Sequence, residues 1–287
     1  MKNGYFLVIF GIFLVLQPVF LSGQSFPGMQ GDPFSAMDRA FSAVEDTPTL
    51  EDEYYLGRAV AANILAAYRP YTQNPALTQY LNRICQALVI NSTKPVVFNG
   101  YHVMIINSPG YNAFATPGGH IFLTKGLVDA APSEDALAGI IAHELAHIIL
   151  RHSASIIDDM RITEDAASMA QQAAAFAGRG NAGAQRALAF RNSVAGVLDT
   201  MMKNGFSRPQ EFEADRTAVE LLAKTGYDPG GLLDMLTILQ RVQRSQSGGF
   251  NSTHPTPDER IANIRPVISR YRVADTRSYR VQRFKNK

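Results

Sequence analysis

Ala136-Leu137-Ala138-Gly139-Ile140-Ile141-Ala142-His143-Glu144-Leu145-Ala146-His147-Ile148-Ile149-Leu150 is an oily stretch interrupted by two imidazoles and one carboxylate. On an α-helix, residues four apart share a face, so His143 and His147 direct their rings at one point while Glu144 stands beside it. The surrounding residues are apolar nearly all round, the pattern of a central, buried helix. Three unpartnered polar side chains in such a place would cost about 1–3 kcal/mol apiece, and a metal ion with a bound water satisfies all three at once. The competing explanation is a chance spacing, which usually falls on a solvated helix face without further ligands nearby.

Catalytic zinc usually takes three protein ligands and leaves one position for water, so a third is sought downstream. In Ser207-Arg208-Pro209-Gln210-Glu211-Phe212-Glu213-Ala214-Asp215, Ser207 is an N-cap and Pro209 fits the first turn of a second helix. Glu211 and Asp215 then lie one turn apart on one face. Glu211 is placed to ligate the metal, and Asp215 to accept a hydrogen bond from a ligand histidine's other nitrogen. The alternative for Glu211 is a favourable charge near a helix N-terminus. Glu213 is expected to point away into solvent.

With these runs and Asn112-Ala113-Phe114-Ala115-Thr116-Pro117-Gly118-Gly119-His120-Ile121, the chain resembles the zinc metallopeptidase family that includes HtpX, BepA and the CAAX prenyl proteases, over roughly residues 50 to 265. The resemblance implies one zinc ion per chain, held by His143, His147 and Glu211. It also implies Glu144 as general base and Asp215 as the partner behind a ligand. His254, in His254-Pro255-Thr256-Pro257-Asp258-Glu259-Arg260, matches a family histidine that approaches the zinc as an inhibitory ligand or as a transition-state donor. The expected fold is α+β and zincin-like, mainly helical with a small antiparallel sheet beside the metal helix. No C-terminal helical repeat is visible, and one apolar segment stands where HtpX and the prenyl proteases have several spans.

In a chain of 287 residues that is 46% hydrophobic, one sizeable core is expected. The formal net charge of +2 falls by one if Lys2 leaves with the N-terminal segment, so nothing calls for a nucleic-acid partner. Residues 270 to 287 form a basic tail, read as a solvated or frayed end. Residues 1–25 carry Lys2, an apolar run from Tyr5 to Leu16 and small residues at Ser22, Gly23 and Ser25, which reads as a secretory signal, with an uncleaved anchor through residues 5–21 as the alternative. The localisation that follows is the periplasm, with peripheral membrane association in the anchored case. The sole cysteine, Cys85, has apolar neighbours at helical spacing and is expected to be a buried thiol.

Residues 26–48 read as a Gly/Pro/Ser-rich linker in which Phe34, Met37 and Phe41 allow one short helix, ahead of a catalytic domain over 49–287. Helices are expected from Leu50 to about Arg69 and from Pro75 to Ile90. Strands follow at 101–106, 112–116 and 120–124. In zincin-type peptidases an edge strand receives the substrate as an added strand through main-chain hydrogen bonds. Asn112, Ala113, Phe114 and Ala115, with Gly118, Gly119 and His120, are the candidates for that edge, although Gly118-Gly119 also reads as a simple turn. His102 and His120 otherwise read as structural, and His152 as a partner for the helix C-terminus.

Between the two ligand helices, residues 153–206 are rich in Ala, Gln and Met and must begin and end near the metal. They form either a helical lid or plug or a hairpin completing the core. The function expected is an endopeptidase acting on polypeptides, namely unfolded or misassembled envelope proteins. The alternatives are a chaperone-like envelope assembly factor and, last, a regulatory partner of a membrane-bound protease.

Overall fold

A computed structural model describes residues 49–153, 194, 195, 198, 205–245, 255–272 and 276–286. The expected signal and linker, His254 and most of residues 153–206 lie outside the described residues. The elements in order are α1 (Leu50–Ala67), α2 (Pro75–Ile90), β1 (His102–Ile106), β2 (Ala113–Ala115), a 3-10 turn (Pro117–Gly119), β3 (His120–Thr124), α3 (Lys125–Ala130), α4 (Glu134–Ile149), α5 (Arg208–Thr225), α6 (Gly230–Ser245), α7 (Pro257–Ile268) and α8 (Arg277–Lys285). No helix among the described residues is long and apolar enough to cross a membrane.

Helix α4 is the axle of the molecule. Ser133 caps it by accepting from Ala136 N–H, and every residue from Glu134 to Ile149 is buried. An all-round apolar helix must be covered on all sides, and here α2, α5, α6, α8 and the sheet do so. Gly139 permits one of these approaches: a Cβ there would lie 2.7 Å from the Leu232 amide nitrogen on α6.

Buried acids in the first turn of α4 need partners, and the C-terminal helix supplies them. Glu134 accepts from Tyr80 Oη at 2.9 Å and Arg283 Nε at 3.0 Å, while Asp135 pairs with Arg280 Nε at 2.7 Å. The basic tail is therefore not a frayed end. From Arg277 to Lys285 it is a helix whose arginines fasten the start of α4, and Arg280 is buried.

The sheet order is β1-β3-β2, with β1 and β3 parallel and β2 and β3 antiparallel. The expectation of an antiparallel sheet is thus corrected to a mixed one. The tight Pro117–Gly119 turn pairs β2 directly with β3, so β3 fills the central place and runs alongside β1. Alternating hydrophobicity reports which face is buried, not which strand is the neighbour. Ala113, Ala115, Ile121 and Leu123 join the cluster that contains α4, and Phe114, Phe122 and Ile106 join Leu56, Val60 and Ile64 of α1 on the other face. Coverage of both faces explains the nearly unbroken apolar strands.

Contact between α1 and the 3-10 turn is close enough to require glycine. A Cβ on Gly57 would lie 1.7 Å from Pro117 O, and Gly118, at φ 74°, would meet the Tyr54 backbone at 2.4 Å. Val194 and Leu198 pack into the α1 side of this layer. Cys85 is buried in the main core, where burial pushes its thiol up to about 12.

Candidate active site

Helix α4 turns His143 and His147 to the same side, and α5 brings Glu211 against them. Ser207 opens α5, where Gln210 Oε1 accepts from the Ser207 N–H at 3.0 Å, and Pro209 occupies the first turn. The two histidine Nε2 atoms are 3.2 Å apart. Glu211 Oε2 lies 3.5 Å from His143 Nε2, and Oε1 lies 3.5 Å from His147 Nε2. All three residues are buried.

These separations can be tested against a cation. Zinc bonds of about 2.0–2.1 Å in a tetrahedron put neighbouring ligand atoms about 3.3–3.4 Å apart. Three separations of 3.2–3.5 Å match that triangle, and the donor set of two imidazoles and a carboxylate suits zinc. Electrostatics agrees. Burial and the Arg260 charge favour a neutral His143 ring, yet Asp215 and Glu211 outweigh them and push it up to about 9. Positive charge is drawn to this point, and a metal would displace that proton.

Glu144 follows His143 on α4 and is 1% exposed. Its Oε1 is buried with no hydrogen-bond partner among the described residues. Burial, with the Glu211 charge, raises its carboxyl to about 7, against the opposing pull of His143 and Arg260. A carboxylate held so is poised to take a proton near neutral pH.

Behind His143, Asp215 Oδ1 lies 3.0 Å from Nδ1, where a ring N–H donates while Nε2 stays free for a metal. Burial alone would raise the Asp215 carboxyl, but Arg260 holds it below its ordinary value. Arg260, on α7, donates to Asp215 from Nε at 2.9 Å and from Nη2 at 2.6 Å, and its Nη1 stands 3.6 Å from Glu211 Oε2. Nη2 is also 3.2 Å from both His143 ring nitrogens, so it rests against the ring rather than on one lone pair.

Arg260 has no role that its local sequence assigns. The available signal was a charge on an inward face, because Pro257, Arg260 and Ile264 fall at helical spacing and all are buried. For His152 the sequence position suggests a helix-end partner. It lies instead against His147, Nδ1 to Nδ1 at 2.9 Å, with Phe206 stacked on the His147 ring at 4.1 Å between centroids. His152 and Phe206, which flank the segment expected to form the lid or hairpin, therefore both abut His147.

Among the residues expected at the substrate edge, Asn112 to Ala115 and Gly118 to His120 part company. β3 is paired on both sides, so His120 sits on the central strand and cannot accept a further one. Gly118 and Gly119 form the 3-10 turn. His120 contacts Thr116 Oγ1 at 3.3 Å and stacks on Tyr54, and burial lowers its ring to about 4. Among the described residues β2 is an edge strand, and it is buried. The opposite edge, β1, is closed by Asn82, whose side-chain amide bonds both Val103 N–H and Val103 C=O.

A model of peptidase family M48 matches residues 75–268, the span that holds every residue placed at this site. The chain belongs to peptidase family M48. It is 30% identical over 198 residues to the beta-barrel assembly-enhancing protease of Escherichia coli K12, covering 68% of this chain and 40% of that protein. It is 28% identical over 208 residues to the mitochondrial metalloendopeptidase OMA1 of Schizosaccharomyces pombe, covering 70% and 54%. Over 191 residues it is 29% identical to the metalloprotease YcaL of Escherichia coli K12, covering 66% and 69%. The chain thus spans less than half the length of the assembly-enhancing relative. By M48 membership it is a metalloprotease domain.

Proposed function

We propose that this M48 chain is a zinc-dependent endopeptidase of zincin-like fold, with His143, His147 and Glu211 as the metal ligands. One observation carries the reading: three ligating groups from two helices converge at tetrahedral spacing beside a buried carboxylate oxygen that has no partner among the described residues. Zinc, when bound there, supplies Lewis acidity toward a water and toward the carbonyl oxygen of the scissile bond.

The chain's own residues do the rest. Glu144 takes a proton from water as the oxygen attacks the carbonyl carbon, then passes it to the leaving nitrogen as the C–N bond breaks. Asp215 keeps the His143 tautomer that leaves Nε2 free for the metal, and Arg260 keeps Asp215 ionised and in place. His254 is proposed, from sequence, as the donor to the developing oxyanion, with inhibitory ligation as its alternative role.

Support for an extended substrate comes from β2. Thr116 N–H donates to His120 O and Thr124 N–H to Asn112 O, so alternation turns the Ala113 and Ala115 backbone groups away from β3. Ala113 N–H is taken by Asn112 Oδ1 and Ala115 C=O by Ser153 Oγ. Ala115 N–H and Ala113 C=O have no partner among the described residues, and both residues are buried, so a substrate strand would reach them only as the cover over this edge gives way. Main-chain pairing at this edge binds an extended peptide without reading its side chains, which suits unfolded or misassembled proteins. The name of the assembly-enhancing relative favours clients from the bacterial envelope, and with it a periplasmic location.

The test is metal analysis of the purified protein together with casein digestion, with and without chelator. Stoichiometric zinc and chelator-sensitive cleavage are expected; metal-free protein that still digests casein would end the proposal.

A further inference from the structure

His147 faces the metal point through Nε2, and its other ring nitrogen meets an uncommon partner. Continued α-helix beyond Ile149 would carry residue 152 about 140° around the axis from residue 147, out of reach. Arg151 breaks the helix in a left-handed conformation, φ 59°, and it is the only non-glycine residue with positive φ among the described residues. That conformation costs about 1–2 kcal/mol for a residue with a side chain. The Arg151 guanidinium pairs with the buried carboxylate of Glu53 on α1, which anchors the turn.

Through this reversal His152 arrives beneath His147. It is 5% exposed, its Nδ1 is 2.9 Å from His147 Nδ1, and the two rings cross at 69°. Two imidazole nitrogens at that distance need one proton between them, since two protons clash and none leaves two lone pairs facing. His147 Nε2 points at His143 and Glu211, where its lone pair is required, so the proton sits on His147 Nδ1 and His152 Nδ1 accepts it. The His152 proton is consequently on Nε2. That atom lies 3.6 Å from Glu213 Oε2, on a side chain that is 54% exposed.

We infer that His152 is a positioning residue for His147, and that Glu213 in turn holds the tautomer of His152. The relay Glu213, His152, His147 does for one metal-ligating histidine what Arg260 and Asp215 do for the other. It differs in using a neutral ring as the immediate acceptor and in ending at the surface. Glu213 follows Glu211 by two residues on α5, so one helix turn supplies both a group facing the metal point and the far end of the relay. Phe206 stacks on the open face of His147 and fixes the ring plane in which the relay operates. This inference rests on the metal-site reading.

The experiment uses the full chain loaded with cobalt(II), reading affinity by competition with a chelator and geometry by the visible absorption spectrum. His152→Asn and His152→Leu are nearly the same size, and only Asn keeps an acceptor near the Nδ1 position. The Leu variant is expected to bind cobalt about 10–100-fold more weakly with a shifted spectrum, the effect usual for losing the hydrogen-bond partner of a ligand histidine. The Asn variant is expected to recover most of that loss, and Glu213→Gln to show a smaller weakening than Leu. Equal affinity and spectrum in wild type and the Leu variant would overturn the relay, as would equal weakening by Leu and Asn, which marks a packing role alone. If the wild-type protein takes up no cobalt, the metal-site reading fails first and the relay with it.

Discussion

Arg260 Nη2 lies 2.6 Å from Asp215 Oδ1, a pair fully buried between α7 and α5. Its second donor, Nε, reaches the other carboxylate oxygen at 2.9 Å. This two-pronged contact makes α7 part of the site, although α7 contributes none of the three proposed metal ligands. Guanidinium geometry matters here, since a planar fork fits a carboxylate and a point charge does not.

Replacing Arg260 with Met removes the guanidinium from beside the buried Asp215 and Glu211 carboxylates. A loss of about 3–5 kcal/mol in metal-free protein is expected, read from the urea midpoint. Arg260→Lys should recover only part of it. In the double variant Arg260→Met, Asp215→Asn the loss should be smaller than the sum of the single losses, because the two side chains act as one unit.

Glu144→Gln changes one atom of the buried carboxyl and leaves the three proposed ligands in place. Zinc stoichiometry should be retained while turnover falls by about 10²–10⁴-fold, the usual contribution of a positioned general base. Elemental analysis and casein digestion on one sample check both halves. Undiminished proteolysis would remove Glu144 from the mechanism.

Glu211→Ala removes the ligand that α5 brings to α4. The expected result is loss of stoichiometric zinc and of cleavage, with activity not restored by zinc at concentrations that reactivate chelator-treated wild type. Asp215→Ala should behave more mildly, with metal affinity lowered about 10–100-fold and activity recovered in excess zinc.

Ala115→Pro deletes the β2 N–H that points away from β3. One main-chain hydrogen bond to substrate is worth about 0.5–1.5 kcal/mol, so kcat/KM toward an extended peptide should drop by up to about tenfold. Thermal stability is read on the same sample, because Ala115 is buried and the proline ring must fit into the core. Unchanged kcat/KM in a folded variant would move the substrate off this strand.

The sequence was informative wherever the physics is local. The spacing of His143 and His147, the apolar run around them, the Ser207 and Pro209 start of α5, and the single turn from Glu211 to Asp215 all follow from helix periodicity and capping. Such patterns repeat within a few residues, so they need no knowledge of what packs on them. Pro75 to Ile90 is a helix for the same reason, with Asn74 accepting from Leu77 N–H at its start.

Tertiary structure decided what depends on segments far apart in the chain. It set β3 between β1 and β2, which took His120 away from the edge. It drew Arg260 from more than a hundred residues beyond His143 into the space behind the metal point, and it turned the basic tail into the clasp of Glu134 and Asp135. It also bent Arg151 into a left-handed turn that no residue preference announces, because the conformation is held by the pairing of its guanidinium with a distant Glu53 and not by a local preference. Periodicity tells which face of an element is buried; which faces meet is fixed by whole-molecule packing, and that is where this site acquired its supporting charges.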